Sequence, residues 1–234
     1  MTNAHTLAAD LIAAFRQPAA PESAPFRASA ASAATTSSRP EPTGAAVTAR
    51  PYGGARQDLL ATLARRRSQR FFAPGSIPAG LLADVVDRGI AEDEAAWPGA
   101  QRLQTDVVAF AVEGLEPAMY GYASRAYTPV APLPPERELE SLTLQAEFCR
   151  SAAIVAIAVD LSGIDAHGYR MLLGRAGAAA YTMWLDAVAL GLAGTVFAGF
   201  IPASVRRPLR ADGTGRHHVF ALAVGREHTE HRKE

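Results

Sequence analysis

Residues 152–200 narrow the possible folds more than any other stretch. "AAIVAIAV" (152–159) is an apolar run of strand length, which fits a strand buried on both faces. "YRMLLGRAGAAAYTMWLDAVALGL" (169–192) follows, with Leu173, Gly177, Ala180, Trp184, Ala187 and Gly191 in one stripe at helical spacing. Its opposite side is nearly as apolar, and after Arg170 only Arg175 and Asp186 carry charge. A helix apolar all round is expected to be buried all round, at the centre of a domain or at a subunit interface. Its Gly-Ala run (174–180) allows another backbone to approach closely. "AGTVFAGF" (193–200) then reads as a strand, as do "DVVAFAV" (106–112) and "HVFALAVG" (218–225). Four apolar strand runs with helices at uneven spacing argue for a mixed α+β layer fold.

The remaining elements are read in the same way. "RQDLLATLARRRS" (56–68) is helical with Leu59, Leu60 and Leu63 on one face, and 77–92 forms a second helix with Pro78 in its first turn. "GLEPAMYGYASRAYTPV" (114–130) reads as a hairpin broken at Gly121, and 134–151 as a helix. A short helix over 203–209 and a "RADGTG" turn precede the last strand. Residues 5–16, with Leu7, Leu11, Ile12 and Phe15 at helical spacing, are expected to form a short amphipathic helix. The Ala-, Ser-, Thr- and Pro-rich stretch 17–54 has too few large apolar residues to offset its ordering entropy, and reads as a disordered linker. The expected organisation is therefore a helix plus linker over 1–54 and a compact domain over 55–234.

Net charge is zero and the pI about 7.0, so no overall field recruits nucleic acid or a membrane. No apolar run reaches the roughly 18 residues of a membrane span, and no basic flank precedes an apolar stretch at the N-terminus, so a cytoplasmic protein is expected. Cys149 is the one cysteine, which excludes an internal disulfide. Of 23 basic residues only Lys233 is a lysine, so no lysine inside the fold can act as a base or Schiff-base former.

The arginines are not evenly spread. "LARRRSQRFFAPGSIP" (63–78) places four arginines and a serine in eight positions at the end of a helix. Arginines there oppose the helix dipole and can be mere surface charge; alternatively they hold a phosphate. A helix C-terminus is the wrong end for an anion, so a phosphate site there needs guanidinium forks and a hydroxyl to overcome the backbone field.

"RRSQRFF" (66–72) resembles the opening signature of the FMN-dependent nitroreductase superfamily, whose Arg and Ser side chains hold the flavin phosphate and ribityl chain. Further stretches match in order. "WPGAQRLQTDVVAFAVEGLEPAMYGYASRAYTPV" (97–130) resembles the flavin-ring loop, strand and Gly-Leu-x-Pro-Gly-Leu-Tyr-x-Tyr hairpin of the azoline dehydrogenase (SagB-type) branch, which makes thiazole and oxazole rings in ribosomal peptides. "HGYRMLLGRAGAAAYTMWLDAVALGLAGTVFAGF" (167–200) resembles that branch's Gly-Tyr-Arg, long helix and Gly-Gly-Phe. "AVGR" (223–226) resembles the closing strand. The resemblance covers roughly 56–228. It implies an antiparallel-rich sheet flanked by helices, in a homodimer with FMN between subunits. Arg66, Arg67, Ser68, Arg70 and Arg226 would hold phosphate and ribityl. Pro98, Gly99 and Ala100 would lie along the ring, and a backbone N–H of Ala198 or Gly199 against flavin N5.

The departures from that pattern bear on chemistry. Pro98-Gly99-Ala100 lacks the family's loop serine. The branch's Lys-Tyr pair, which acts on the substrate proton, aligns with about Gly163 and Ile164. Dehydrogenating a ring carbon needs a base for its proton, and Tyr169 and His167 are the nearest candidates in sequence. The expected activity is FMN-dependent dehydrogenation of a modified peptide. A reductase drawing on NAD(P)H for a nitro, quinone or enamide acceptor is one alternative, and a catalytically silent subunit scaffolding a larger peptide-modifying complex is another. His217 and His218 point to opposite faces of a strand, so they cannot jointly hold one metal. His228 and His231 read as an exposed tail, and no metal is expected. Cys149 reads as a small packed hydrophobe, while Trp97 and Trp184 read as core or interface anchors.

Overall fold

The computed structural model describes residues 40–198, 208–210 and 215–228. The helix expected over 5–16, most of that over 203–209, Gly199 and His231 lie outside the described residues. The strands and helices, in chain order, are β1 (Val47–Thr48), α1 (Leu59–Arg65), β2 (Phe72–Ala73), β3 (Ile77–Pro78), α2 (Ala79–Ala96), β4 (Gln104–Ala109), β5 (Val112–Glu113), β6 (Ala118–Ala123), β7 (Ala126–Pro132), α3 (Glu136–Leu139), β8 (Ala153–Val159), α4 (Ala166–Ala189), β9 (Ala193–Phe197) and β10 (His217–Glu227).

One sheet runs β1-β7-β6-β4-β8-β10-β2, with β9 also paired to β10, and every pairing in it is antiparallel. β3 and β5 form a separate parallel pair. The mixed α+β architecture with an antiparallel-rich sheet is thus the observed one. All seven residues of β8 are buried, between β4 and β10 and beneath helices on one face. That face carries α2 and α4 over Val107, Val155, Ile157, Leu222 and Val224. The other face packs Val108, Ile154 and Ala223 against Leu142, Phe148, Cys149 and Leu209. Each fully buried Leu or Ile of these layers contributes about 1.5–3 kcal/mol relative to exposure.

α2 and α4 touch at Gly89, where an added Cβ would lie 2.4 Å from Met183 Cγ and 2.8 Å from the Ala179 carbonyl oxygen. The backbone oxygen cannot move aside as a side chain can. Gly89→Ala is therefore expected to cost about 2 kcal/mol, read in thermal unfolding as a Tm lower by roughly 4–8 °C.

Some expectations need correction. The hairpin does not turn at Gly121, which sits inside β6 opposite Thr128. It turns at Ser124 and Arg125, both with positive φ (46° and 66°). Hairpin turns with two positive φ values usually take Asn-Gly. Here tertiary contacts hold the strained pair: the Arg125 guanidinium donates to the Ala49 carbonyl (3.0 Å) and the Arg50 carbonyl (2.8 Å) and pairs with Asp84 (2.8 Å).

The helix expected over 134–151 is broken into α3 and two 3₁₀ turns, 140–142 and 146–150. Thr143 takes an extended conformation between them and its hydroxyl donates to the Gln145 carbonyl (2.6 Å), a local bond that competes with helix. The helix expected over 77–92 begins after Pro78 and runs to Ala96. The strand expected over 106–112 ends at Ala109. Finally, β1 lies inside the stretch whose composition suggests a linker. It joins the sheet edge through backbone pairing with Tyr127 and Ala126, which needs no apolar side chains.

α4 spans 166–189 and is not buried all round. Ala176, Ala180, Met183, Trp184 and Ala187 are buried, but Gly174, Ala178 and Tyr181 are exposed in the single chain. Its two internal charges are buried and paired: Arg175 with Asp93, and Asp186 with Arg56 at 2.6 Å.

Candidate functional site

α1 starts at Asp58, whose side chain accepts from the Ala61 amide (3.0 Å), and stops at Arg66, whose N–H still bonds the Thr62 carbonyl. Residues 66–73 then cross the ends of β9 and β10. Ser68 bridges Gly194, the Thr195 hydroxyl donates to the Gln69 carbonyl (2.6 Å), and β2 pairs Ala73 with Arg226. This path brings Arg66, Arg67, Ser68, Arg70 and Arg226 to one corner of the sheet, although Arg226 is 156 positions beyond Arg70.

The side chains do not converge on one point. Arg66 is half-buried and stacks over the Trp184 ring, 4.7 Å from its centroid. Arg70 reaches outward to Glu147 (2.9 Å), and Arg65 to Glu227 (3.3 Å). The Arg226 Nε donates to the Ser76 carbonyl (3.0 Å), packed so closely that a Cβ on Gly75 would lie 2.9 Å from it. Arg67 and Ser68 are exposed.

From this corner β9 runs antiparallel to β10, Ala193 opposite Gly225 and Phe197 opposite Ala221. Ala198 comes next and is exposed. The four steps from Gly194 to Ala198 span roughly 13 Å of strand.

The other candidates gather elsewhere. Pro98, Gly99 and Ala100 form a turn just beyond α2, with Gly99 at φ 77° and the Ala100 amide bonded to the Trp97 carbonyl (3.1 Å). His167, exposed, and Tyr169, half-buried, lie in the first turn of α4, where Asp165 caps the Gly168 amide (2.7 Å). α2 and α4 are antiparallel here, so the turn and the start of α4 share one end of the helix pair: Asp93 meets Arg175, while Gly89 meets Met183. Arg175 bonds the Gln101 carbonyl, and Trp184 lies under Arg66. These two α4 positions are nine residues apart, about 14 Å along the axis and on opposite faces. Along α4, then, the Pro98–Ala100 turn and the arginine corner lie at different ends and on different faces.

Residues 63–226 match the family profile described as nitroreductase. The chain belongs to the nitroreductase family. Solved structures agree on the fold. A nitroreductase of Anabaena variabilis superposes with a TM-score of 0.66 at 22% identity, over 84% of this chain and 45% of that one. A nitroreductase of Ralstonia eutropha gives 0.59 at 14%, over 82% and 95%. The microcin synthetase complex McbBCD of E. coli, solved with truncated pro-MccB17 bound, gives 0.53 at 17%, over 78% of each chain. The chain spans less than half the length of the Anabaena protein. No curated protein matches it by sequence.

Nitroreductases bind flavin, so the residues present can be tested against a flavin nucleotide. The phosphate end fits the donor chemistry: exposed Arg67 and Ser68 stand beside Arg66, Arg70 and Arg226 at one corner. Next to Arg66, the buried indole Nε1 of Trp184 has no partner among the described residues. The ring end is not enclosed by the described residues of this chain. The notch lined by Arg65, Arg67, Gln69, Val188, Leu192, Ala193 and Glu227 has a volume of about 10 Å³, room for one water.

Sequence reasoning missed two buried ionic groups of this chain. On the sheet face away from the helices, fully buried Asp106 accepts from Arg216 and, at 2.7 Å, pairs with His218 Nε2. Arg216 also donates to the Gln104 side chain (2.9 Å) and the Leu209 carbonyl. Burial pushes the Asp106 carboxyl up, but the hydrogen bond and charge of His218 and the Arg216 guanidinium outweigh it, leaving the group below its ordinary 3.8. The only signal in the sequence was an aspartate opening an otherwise apolar strand. The second group is the Arg175–Asp93 pair, for which the lone charge in the apolar helix was the clue.

Proposed function

We propose that the protein is an FMN-dependent oxidoreductase whose site is shared between two copies of the chain. The observation that carries this reading is the arrangement of the two candidate clusters. The arginine corner opens onto β9, which leads to Ala198. The Pro98–Ala100 turn and the start of α4 lie at the opposite end and face of the same helix. One protomer would hold the phosphate and ribityl with Arg66, Arg67, Ser68, Arg70 and Arg226, and present the Ala198–Gly199 backbone to the ring. The partner would lend Pro98, Gly99 and Ala100, and with them His167 and Tyr169.

The exposed apolar stripe of α4, Gly174, Ala178 and Tyr181, together with exposed Leu59, Leu60 and Leu63 of α1, offers the surface for that association.

The substrate class we favour is a modified ribosomal peptide, oxidised at an azoline ring as in the SagB-type branch. The motif order of 97–130 and 167–200 supports it, as does the shared fold with a complex solved around a pro-peptide. Bound FMN would supply the two-electron acceptor. Tyr169 and His167 would take the ring proton, while the guanidiniums of Arg66, Arg67, Arg70 and Arg226 would hold the cofactor's phosphate. The test is to mix FMN-loaded protein with a thiazoline peptide without oxygen. Flavin bleaching and a product lighter by two hydrogens are expected. Rapid bleaching by NADPH with no change in the peptide would overturn this substrate class in favour of a reductase.

A further inference from the structure

We infer that Arg175 and Asp93 are a positioning pair that holds the Trp97–Ala100 turn in the shape needed to cover the flavin of a second copy of the chain; this rests on the reading above. The pair is bidentate, Nε to Oδ1 at 3.0 Å and Nη2 to Oδ2 at 2.6 Å, and both side chains are 3% exposed. Nη2 also donates to the Gln101 carbonyl at 2.9 Å. Asp93 in turn accepts, at its backbone carbonyl, the N–H of Trp97 (2.9 Å). One guanidinium therefore ties Asp93, in the last turn of α2, to Gln101, the residue after the turn. Between these anchors, Trp97, Pro98 and Gly99 stand exposed, with Trp97 37% accessible.

Stability alone does not account for this device. A buried ion pair gains little over well-packed apolar residues of the same volume, because both charges must be stripped of water. Asp93 sits in the last turn of α2, where the helix dipole disfavours an anion. Arg175 keeps Nη1 buried without a partner among the described residues. What the pair supplies is a fixed geometry for a turn that has little support of its own. A turn held rigid yet left on the surface is suited to meet something outside its own chain.

The test uses the full-length protein and the double variant Arg175→Met/Asp93→Leu, which removes both charges together and avoids stranding one. Amide exchange over 97–103 should quicken by about tenfold as the turn opens locally, with exchange in β8 unchanged. FMN, measured by quenching of its fluorescence on binding, should bind about tenfold more weakly with Tm nearly unchanged, since a misplaced turn costs contact without costing fold. Arg175→Lys keeps the charge without the fork and should fall between the two. Unchanged exchange over 97–103 would overturn the inference. Faster exchange with unaltered FMN binding would overturn it too, as the turn would then be clamped for no purpose at the flavin. If the parent protein fails to bind FMN, the flavin reading is what falls, and the exchange measurement alone decides the clamp.

Discussion

Arg216→Met should lower Tm by roughly 6 to 20 °C. Removing one partner of a buried ion pair costs about 3–5 kcal/mol, and in a chain of this size each kcal/mol shifts Tm by about 2–4 °C. Arg216 joins Gln104 and Asp106 of β4 to the Leu209 carbonyl, beneath a sheet face that excludes water. Its loss leaves Asp106 buried with His218 alone. Adding Asp106→Asn should recover much of the loss, because the uncompensated charge is then gone as well.

The pH dependence has a definite sign. Asp106 titrates below 3.8 in the folded chain, so its contribution is complete above 3.8 and disappears only as pH falls through its lowered native value. Acid unfolding attributable to this group should therefore begin below pH 3.8, and in Arg216→Met at a higher pH. Circular dichroism melts over a pH series give both results.

The second large effect concerns the cofactor. Arg66→Ala combined with Arg70→Ala should weaken FMN binding by 100-fold or more, since a hydrogen bond to a charged group contributes about 1.5–3 kcal/mol and each 1.4 kcal/mol is about tenfold. The single variants separate binding from folding. The Arg70–Glu147 pair is exposed and contributes under about 1 kcal/mol, so Arg70→Ala should leave Tm in place while weakening FMN. Arg66 also stacks on Trp184, so Arg66→Ala should lose a little stability as well. Equilibrium titration with FMN beside thermal melts checks both.

Much of this architecture is readable from periodicity. The apolar run of β8 and the long helix after it were recognisable as elements because each is a continuous apolar segment, although α4 leaves Gly174, Ala178 and Tyr181 exposed. The Ser124–Arg125 turn was not, because two non-glycine residues hold positive φ only through the Arg125 contacts to Ala49, Arg50 and Asp84. The 140–150 segment was misread as helix for a related reason: its apolar spacing is helical, but Thr143 bonds locally and breaks it. Of the site, the arginine corner was legible as a motif. That β2 places Arg226 beside it follows from sheet pairing over a long separation. The Asp106–Arg216–His218 group and the Arg175 clamp were hidden for the same reason, since each joins residues that only the folded sheet or helix pair makes neighbours. The splitting of the candidate residues between two ends of α4 could not be read at all without the helix register.

The most direct test is a comparison of FMN with riboflavin, which carries the same ring and ribityl chain without the phosphate. If the guanidinium corner grips the phosphate, FMN binds with one molecule per chain, and riboflavin binds at least about 100-fold more weakly, the loss of two charge-assisted bonds. Equal affinity for the two compounds, or no binding of either, would contradict the account.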